Sequence, residues 1–395
     1  MKRLHATALV VTFLLAGRTA AEQITVSEAV RRALAANPEL VAAGAEARAA
    51  DAAARQSGRR INPEVELSIE NAGVEEAMTE TTVAVGQLFE LGGDRRARID
   101  AATAAQQIVA RDAELRRLEI EARVRSAHAS LLAAQQQVAI ARENVASADA
   151  VFGAIRERVA AGKVSPIEET RASVTASMER IELTRAEAEL ESARVQLAST
   201  WSGNAADLVA SEQPGTAAIG SAVDGHPELR RWEAVVAQRE AEAGIERARG
   251  VPDLRASAGI RTYESGDGPA AVAAIAIPLP LDRNRNAVAA ALARVEAARS
   301  ERDAARLRLS RDLGEAQLRR TAAQQNVERF RTEIIPAAES VHEAITEGYR
   351  LGKFGYLEVL DARRTLAQAR LQLVAAQREL ELARVDVERL TGGWQ

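Results

Sequence analysis

The chain has 395 residues, 47% of them apolar but only 3% aromatic, because alanine supplies much of the apolar share. Charged residues make up 27%, the net charge is −4 and there is no cysteine. This excludes disulfides and thiolate metal sites and argues against a nucleic-acid surface, which would carry a basic stripe. It reads as long helices held by many small contacts.

The chain begins with Lys2 and Arg3, an apolar run over residues 9–16, and Thr19-Ala20-Ala21. That is the pattern of an export signal over residues 1–21, cleaved after Ala21. The apolar run is too short to span a bilayer as a helix. Without cysteine there is no lipidated N-terminus. No other stretch is long and uncharged enough for a transmembrane helix, so membrane residence would require strands.

The rest is written twice. Asn37-Pro38-Glu39-Leu40 returns 189 positions on as His226-Pro227-Glu228-Leu229, and Gly162-Lys163 returns 190 positions on as Gly352-Lys353. Leu183, Leu190 and Leu197 map at that same 190 onto Leu373, Leu380 and Val387. Agreement at this range marks a tandem duplication, with a first repeat over residues 22–201, a Gly-, Ala- and Ser-rich linker over 202–225, and a second repeat over 226–395.

Each repeat has the same parts in the same order. In the first, Thr25 with Glu28 three residues later forms a capping-box pattern. A second short helix follows from Pro38, proline being suited to a first helical turn; Pro227 does the same in the second repeat. Two strand-like segments come next, residues 63–72 and 79–89 in the first repeat and 253–262 and 270–280 in the second. Val65, Leu67 and Ile69 alternate with Glu64, Glu66 and Ser68, and Leu254, Ala256, Ala258 and Ile260 alternate likewise. About ten residues is the length a tilted strand needs to cross a bilayer, and alternation gives one face to lipid and one to water. Four strands cannot close a barrel alone. Either other chains complete it or these are not membrane strands.

A long helical hairpin ends each repeat, over residues 94–201 and 282–391, with Asp94 and Asp282 as expected N-caps. Val124, Leu131, Val138, Val145, Phe152 and Val159 form a heptad, and so do Val359, Leu366, Leu373, Leu380 and Val387. Such runs predict antiparallel coiled-coil hairpins. Arg320 interrupts the outgoing helix of the second repeat, and Pro336 predicts a kink there. In each repeat the two shorter helices add to about the length of the long one, roughly 100 Å for the first, so they would stack along it. The linker would then form a collar where the stacked ends meet. Trp201 and Trp394 end the two return helices as packing anchors.

The stretch 349–366, reading YRLGKFGYLEVLDARRTL, resembles the second-repeat tip of the TolC family of outer-membrane factors. Phe89-Glu90-Leu91-Gly92-Gly93 and Ile277-Pro278-Leu279-Pro280-Leu281, each followed by a run of Asp and Arg, resemble the CzcC-like branch, which serves heavy-metal exporters of the resistance-nodulation-division class. The resemblance covers essentially the whole mature chain. It implies a mainly α fold with a small β part: a homotrimeric α-barrel of long antiparallel hairpins, and four strands per chain in a shared twelve-stranded barrel embedded in outer-membrane lipid. It also implies a passive duct, not an enzyme, that needs no cofactor, meets a periplasmic adaptor and an inner-membrane pump of that class, and extends from the outer membrane into the periplasm.

By the same resemblance, the turns Gly162-Lys163-Val164-Ser165 and Gly352-Lys353-Phe354-Gly355 are adaptor-docking tips. Glu358 and Asp361, three apart on one helix face, form an acidic ring at the periplasmic gate, where such a ring favours cations. Tyr349 and Glu168 match positions that tie the closed hairpins together. The family often carries a basic residue two after the tip glycine; here that residue is Phe354. Read without the resemblance, the turns are ordinary and the acidic pair is a solvated face.

Other constellations are missing. His128, His226 and His342 lack metal-ligand spacing, with His226 expected at a helix start and the other two at surfaces or interfaces. No phosphate loop occurs. Drug efflux or type I secretion through the same fold, and a soluble periplasmic coiled-coil scaffold, are the alternatives to metal efflux.

Overall fold

The computed structural model describes residues 22–73, 77–206, 208–211, 223–264, 268–279 and 283–393. The expected signal segment, half of the linker, the Asp282 cap and Trp394 lie outside these. The described residues form two compact units. One is drawn from Met1–Arg31, Val124–Gly215 and Phe330–Arg378, the other from Arg32–Arg123, Thr216–Arg329 and Glu379–Gln395.

The second of these units contains the sheet. Its strands are β2 (Glu64–Glu70), β3 (Glu80–Phe89), β5 (Leu254–Tyr263) and β6 (Ala270–Ala276), all antiparallel in the order β2-β3-β5-β6. The register sorts most side chains by face. Leu67, Val83, Ile260 and Ala271 stand in one row, and Val65, Val85, Ala258 and Ala273 in the next. Val65, Leu67, Ile69, Val83, Val85, Phe89, Ile260 and Ile275 are all exposed, Val65 at 75%. The opposite face carries Glu64, Glu66, Ser68, Glu70, Glu80, Thr82, Arg255 and Arg261. There Arg255 pairs with Glu64 at 2.7 Å and Arg261 with Glu80 at 2.5 Å. A wall with one bare apolar face and one charged face matches a lipid–water boundary, and among the described residues β2 and β6 leave both edges unpaired, open to pairing with other strands.

The helices of this unit start on matched caps. Helix α2 (Pro38–Ser57) is capped by Asn37, whose Oδ1 accepts from Glu39 N at 2.8 Å. Helix α5 (Pro227–Ala248) is capped by His226, whose Nδ1 accepts from Glu228 N at 3.2 Å. The other ring nitrogen of His226 then donates to Arg389 O at 3.1 Å. Burial lowers the pKa of this ring, so the neutral tautomer that can cap is the favoured form. Helix α6 (Arg285–Arg329) packs on α5 through Ala243, Ala291 and Val295. A larger cluster gathers Leu229, Ala305, Leu309, Leu313, Ala316, Val387 and Leu390 around Trp232.

Helix α3 (Asp94–Ala160) begins in this unit. The expected Asp94 cap is corrected. Gly93, at φ +84°, precedes the first turn and its carbonyl accepts from Ala97 N at 3.0 Å. Asp94 lies inside the helix with one buried carboxylate oxygen lacking a hydrogen bond. Its pKa is raised, chiefly by burial and then by Asp253. Glycine is needed just before it: a Cβ on Gly92 would stand 2.3 Å from Ala248 O.

The other unit holds an unexpected small sheet. Strand β1 (Glu22–Ile24) runs parallel to β4 (Leu208–Ala210), a segment of the expected linker. His128 on α3 bonds Ile24 O at 3.1 Å, Gln135 accepts from Ala210 N at 3.0 Å, and Arg194 donates to Leu208 O at 3.0 Å. His128 is therefore interior, only 6% exposed, and its expected surface or interface placement is corrected. Trp201 lays its indole on Gly203 as a packing residue.

Helix α1 (Val26–Ala36) starts on Thr25, whose Oγ1 accepts from Glu28 N at 3.2 Å. The return helices are α4 (Pro166–Ser199) and α8 (Tyr356–Leu390). The irregularity expected at Pro336 is a π-helical turn over Phe330–Ile334, followed by α7 (Ile335–Arg350). Proline lacks the N–H that would extend the ladder, so the disturbance falls in the turn before it.

Candidate functional site

The two hairpin tips are built alike. At the first, Gly162 has φ +67°, with Gly162 N bonded to Val159 O and Lys163 N to Arg158 O. At the second, Gly352 has φ +73°, with Gly352 N bonded to Tyr349 O and Lys353 N to Gly348 O. Both are left-handed closures of a helix C-terminus, which glycine makes without strain. Gly162, Lys163, Ser165, Gly352, Lys353, Phe354 and Gly355 are exposed and Val164 is half-buried.

The return helices then start in equivalent ways. Ser165 caps α4 through Ile167 N at 3.3 Å, and Glu168 is the third helical residue. Glu358 holds the same place in α8, 190 positions on. It leans back over the helix start, since a Cβ on Gly355 would meet its Oε2 at 2.9 Å. A carboxylate there also offsets the positive end of the helix dipole. Asp361 is exposed on the same face as Glu358, so the structure brings this pair together. It does not bond Glu168 to Tyr349. The Tyr349 hydroxyl is buried without a hydrogen-bond partner among the described residues, and its ring lies under the Arg158 guanidinium at 5.0 Å.

Phe354 takes a role of its own. A Cβ on Gly348 would come within 2.3 Å of the Phe354 ring, so the aromatic folds back onto α7 and covers that glycine. An aromatic side chain thus occupies the place where the resemblance leads one to expect a basic residue.

Beneath the tips, Ile155, Ala172 and Tyr356 form a buried cluster, joined by Val151, Phe152, Val159, Tyr349 and Leu360. The Tyr356 hydroxyl has a raised pKa, first from burial, with Arg363 opposing and Tyr349 and Glu168 adding. Sequence reasoning missed Tyr356 and Arg363. The signal was available for Tyr356, as an aromatic in the first turn of a heptad helix.

Among the described residues no group of three or more His, Asp or Glu side chains could hold a metal, and no helix is long and apolar enough to cross a membrane. What remains is an open charged-and-apolar sheet, long helices joined by exposed glycine turns, and exposed carboxylates on α8 just past the second turn. Together these define a channel subunit that takes its wall from several chains.

The chain belongs to the outer membrane efflux protein family, whose model matches residues 29–203 and again residues 218–393. It is 32% identical over 385 residues to the cobalt-zinc-cadmium resistance protein CzcC of Cupriavidus metallidurans, covering 95% of this chain and 91% of that protein. It is 29% identical over 255 residues to the nickel-cobalt-cadmium resistance protein NccC of Alcaligenes xylosoxydans xylosoxydans, covering 62% and 58%. Among solved structures, the channel CusC superposes with a TM-score of 0.81 at 17% identity over 93% of this chain and 92% of that one. VceC of Vibrio cholerae superposes with a TM-score of 0.77 at 19% identity over 94% and 97%. The fold is thus that of the outer-membrane efflux channels, and the TolC-like, CzcC-like resemblance read from the tip and strand motifs stands.

Proposed function

We propose that this protein is the outer-membrane duct of a tripartite exporter of the resistance-nodulation-division class, and that it passively conducts heavy-metal cations out of the cell. The observation that carries the cargo is the 32% identity to a cobalt-zinc-cadmium resistance protein across 95% of the chain. Three copies would pair their free β2 and β6 edges into one closed barrel, with Val65, Leu67, Val83 and Ile260 against lipid. The charged face would line the lumen. A periplasmic adaptor would dock on the tips at 162–165 and 352–355 and link the duct to its pump. Residues 1–21 would serve as the cleaved export signal, with no lipid attached.

Glu358 and Asp361 would stand around the periplasmic mouth as six carboxylates per trimer. A ring of that sign draws cations inward and holds anions back, without binding either tightly, as a conduit requires. Tyr349 and Glu168 would support that mouth from neighbouring helices.

The test is growth of a strain lacking this gene across graded cobalt, zinc, cadmium and nickel, alongside a drug panel. Metal sensitivity restored by the plasmid-borne gene supports the proposal. Unchanged metal tolerance with new drug sensitivity would replace it with the drug-efflux reading.

A further inference from the structure

The helix that carries Glu358 and Asp361 is fastened on its other side by two arginines that neither the family motifs nor the sequence pattern singles out. Arg363 lies two residues past Asp361 and is half-buried. One of its terminal nitrogens donates to the backbone carbonyl of Asn144 in α3. Arg370 lies one heptad further along the same face of α8. Its guanidinium spans two helices, bonding Glu143 of α3 at 2.9 Å and Glu339 of α7 at 2.9 Å. Two arginines a heptad apart thus hold adjacent residues of α3, and the second also holds α7.

We infer that Arg363, backed by Arg370, is a latch that fixes the gate helix α8 on α3 of the same chain and sets how readily the periplasmic mouth opens. This rests on the gate assignment of Glu358 and Asp361 given above. Both are exposed, and they share α8 with a buried anchor, Tyr356. Moving the carboxylates outward requires this stretch of α8 to leave α3, and that movement breaks the Arg363 bond.

The two arginines contribute unequally. Glu143 and Glu339 are 65% and 49% exposed as side chains, and ion pairs so open to water are weak. Arg363 is less hydrated, and burial lowers its pKa against the opposing pull of Glu179, Tyr356 and Glu143. Its bond runs from a charge to a neutral carbonyl, and charge-assisted bonds are the stronger class. Phe354, folded onto Gly348, leaves no basic residue two after the tip glycine, and among the described residues Arg363 holds α8 to α3 nearer the tip than Arg370 does.

Single-channel recording of the purified protein in planar bilayers tests this with Arg363→Met, which keeps the apolar stem and removes the charge. The expected result is a rise of at least about tenfold in the open-to-closed ratio, from the loss of one charge-assisted bond in each of the three chains. Arg363→Lys, which retains a donor, should fall between parent and Met, and Arg370→Met should change the ratio less. Cation preference should be unaltered in all three, since Glu358 and Asp361 remain. A second arm uses the absence of cysteine. Glu143→Cys with Arg370→Cys, joined by a reducible thiol cross-linker, should hold the channel low even with Arg363→Met, and reductant should release it.

An Arg363→Met channel that opens no more than the parent, or less, would overturn the latch, the latter meaning that desolvation of the guanidinium outweighs its bond. That failure is separable from failure of the gate. Glu358→Gln with Asp361→Asn would still lower cation preference if only the latch were wrong, and would leave it unchanged if the gate assignment were wrong.

Discussion

Gly259 sits at the centre of the sheet, paired with Ala84 across the β3–β5 ladder. A Cβ at this position would stand 2.3 Å from Val83 O and 2.7 Å from both Cα and Cβ of Ala84, where 3.4–4 Å is ordinary contact. Gly259→Ala must therefore open the ladder by about 1 Å locally, and two of the obstructing atoms are backbone that cannot rotate away. One or two ladder hydrogen bonds of about 1 kcal/mol net each would be lost, and overpacking adds about 1–3 kcal/mol. The expected cost is about 3 kcal/mol per chain. Gly153 is the control: it lies within α3 with nothing inside 4 Å of an added Cβ, so Gly153→Ala should gain about 0.5–1 kcal/mol from helix propensity alone. Thermal unfolding of the detergent-solubilised protein, followed by circular dichroism, measures both. Gly259→Ala should melt well below the parent and Gly153→Ala slightly above it. If Gly259→Ala melts with the parent, β3 and β5 do not approach as described and the reasoning fails.

The remaining expectations concern charge. Glu358→Gln with Asp361→Asn should move the reversal potential in a salt gradient toward zero, as cation preference is lost; an unchanged potential would remove the gate assignment. Burial holds the His226 ring below its usual pKa, so the stability it carries is present above about pH 6.5 and is lost as pH falls through the lowered value. His226→Asn, which copies the Asn37 cap, should flatten that acid-side loss in melting temperature. Asp94 shifts the other way: its contribution is present in acid and lost as pH rises through the raised value. Asp94→Asn should therefore raise the melting temperature at neutral pH and leave it unchanged in acid.

Much of the fold is legible in the residues because its parts repeat. The Asn37-Pro38 and His226-Pro227 starts, the Gly162 and Gly352 turns and the alternating strands are local signals, and each lies where its own chemistry places it. What escaped reading depends on distant partners. Strand β1 is three residues long and exists because residues 208–210 pair with it, which no local pattern shows. His128 was expected at a surface or interface because its partner, Ile24 O, is 104 positions away. Asp94 resembled a cap by type, yet Gly93 with positive φ takes the carbonyl role and displaces Asp94 into the helix.

The candidate site divides in the same way. The Gly tips and the Glu358–Asp361 spacing can be read from the chain, while the Phe354 ring on Gly348 and the Arg363 hold on Asn144 are tertiary contacts. Arg363 is 219 positions from its acceptor, and in a helix with so many arginines nothing in its own neighbourhood marks it out.

The account as a whole depends on several copies closing one wall in lipid. Purified protein, sized in detergent and then offered to a planar bilayer, tests this most directly. A trimer that gives stepwise ion conductance is the predicted result. A monomer that stays in water without detergent and passes no current would contradict it.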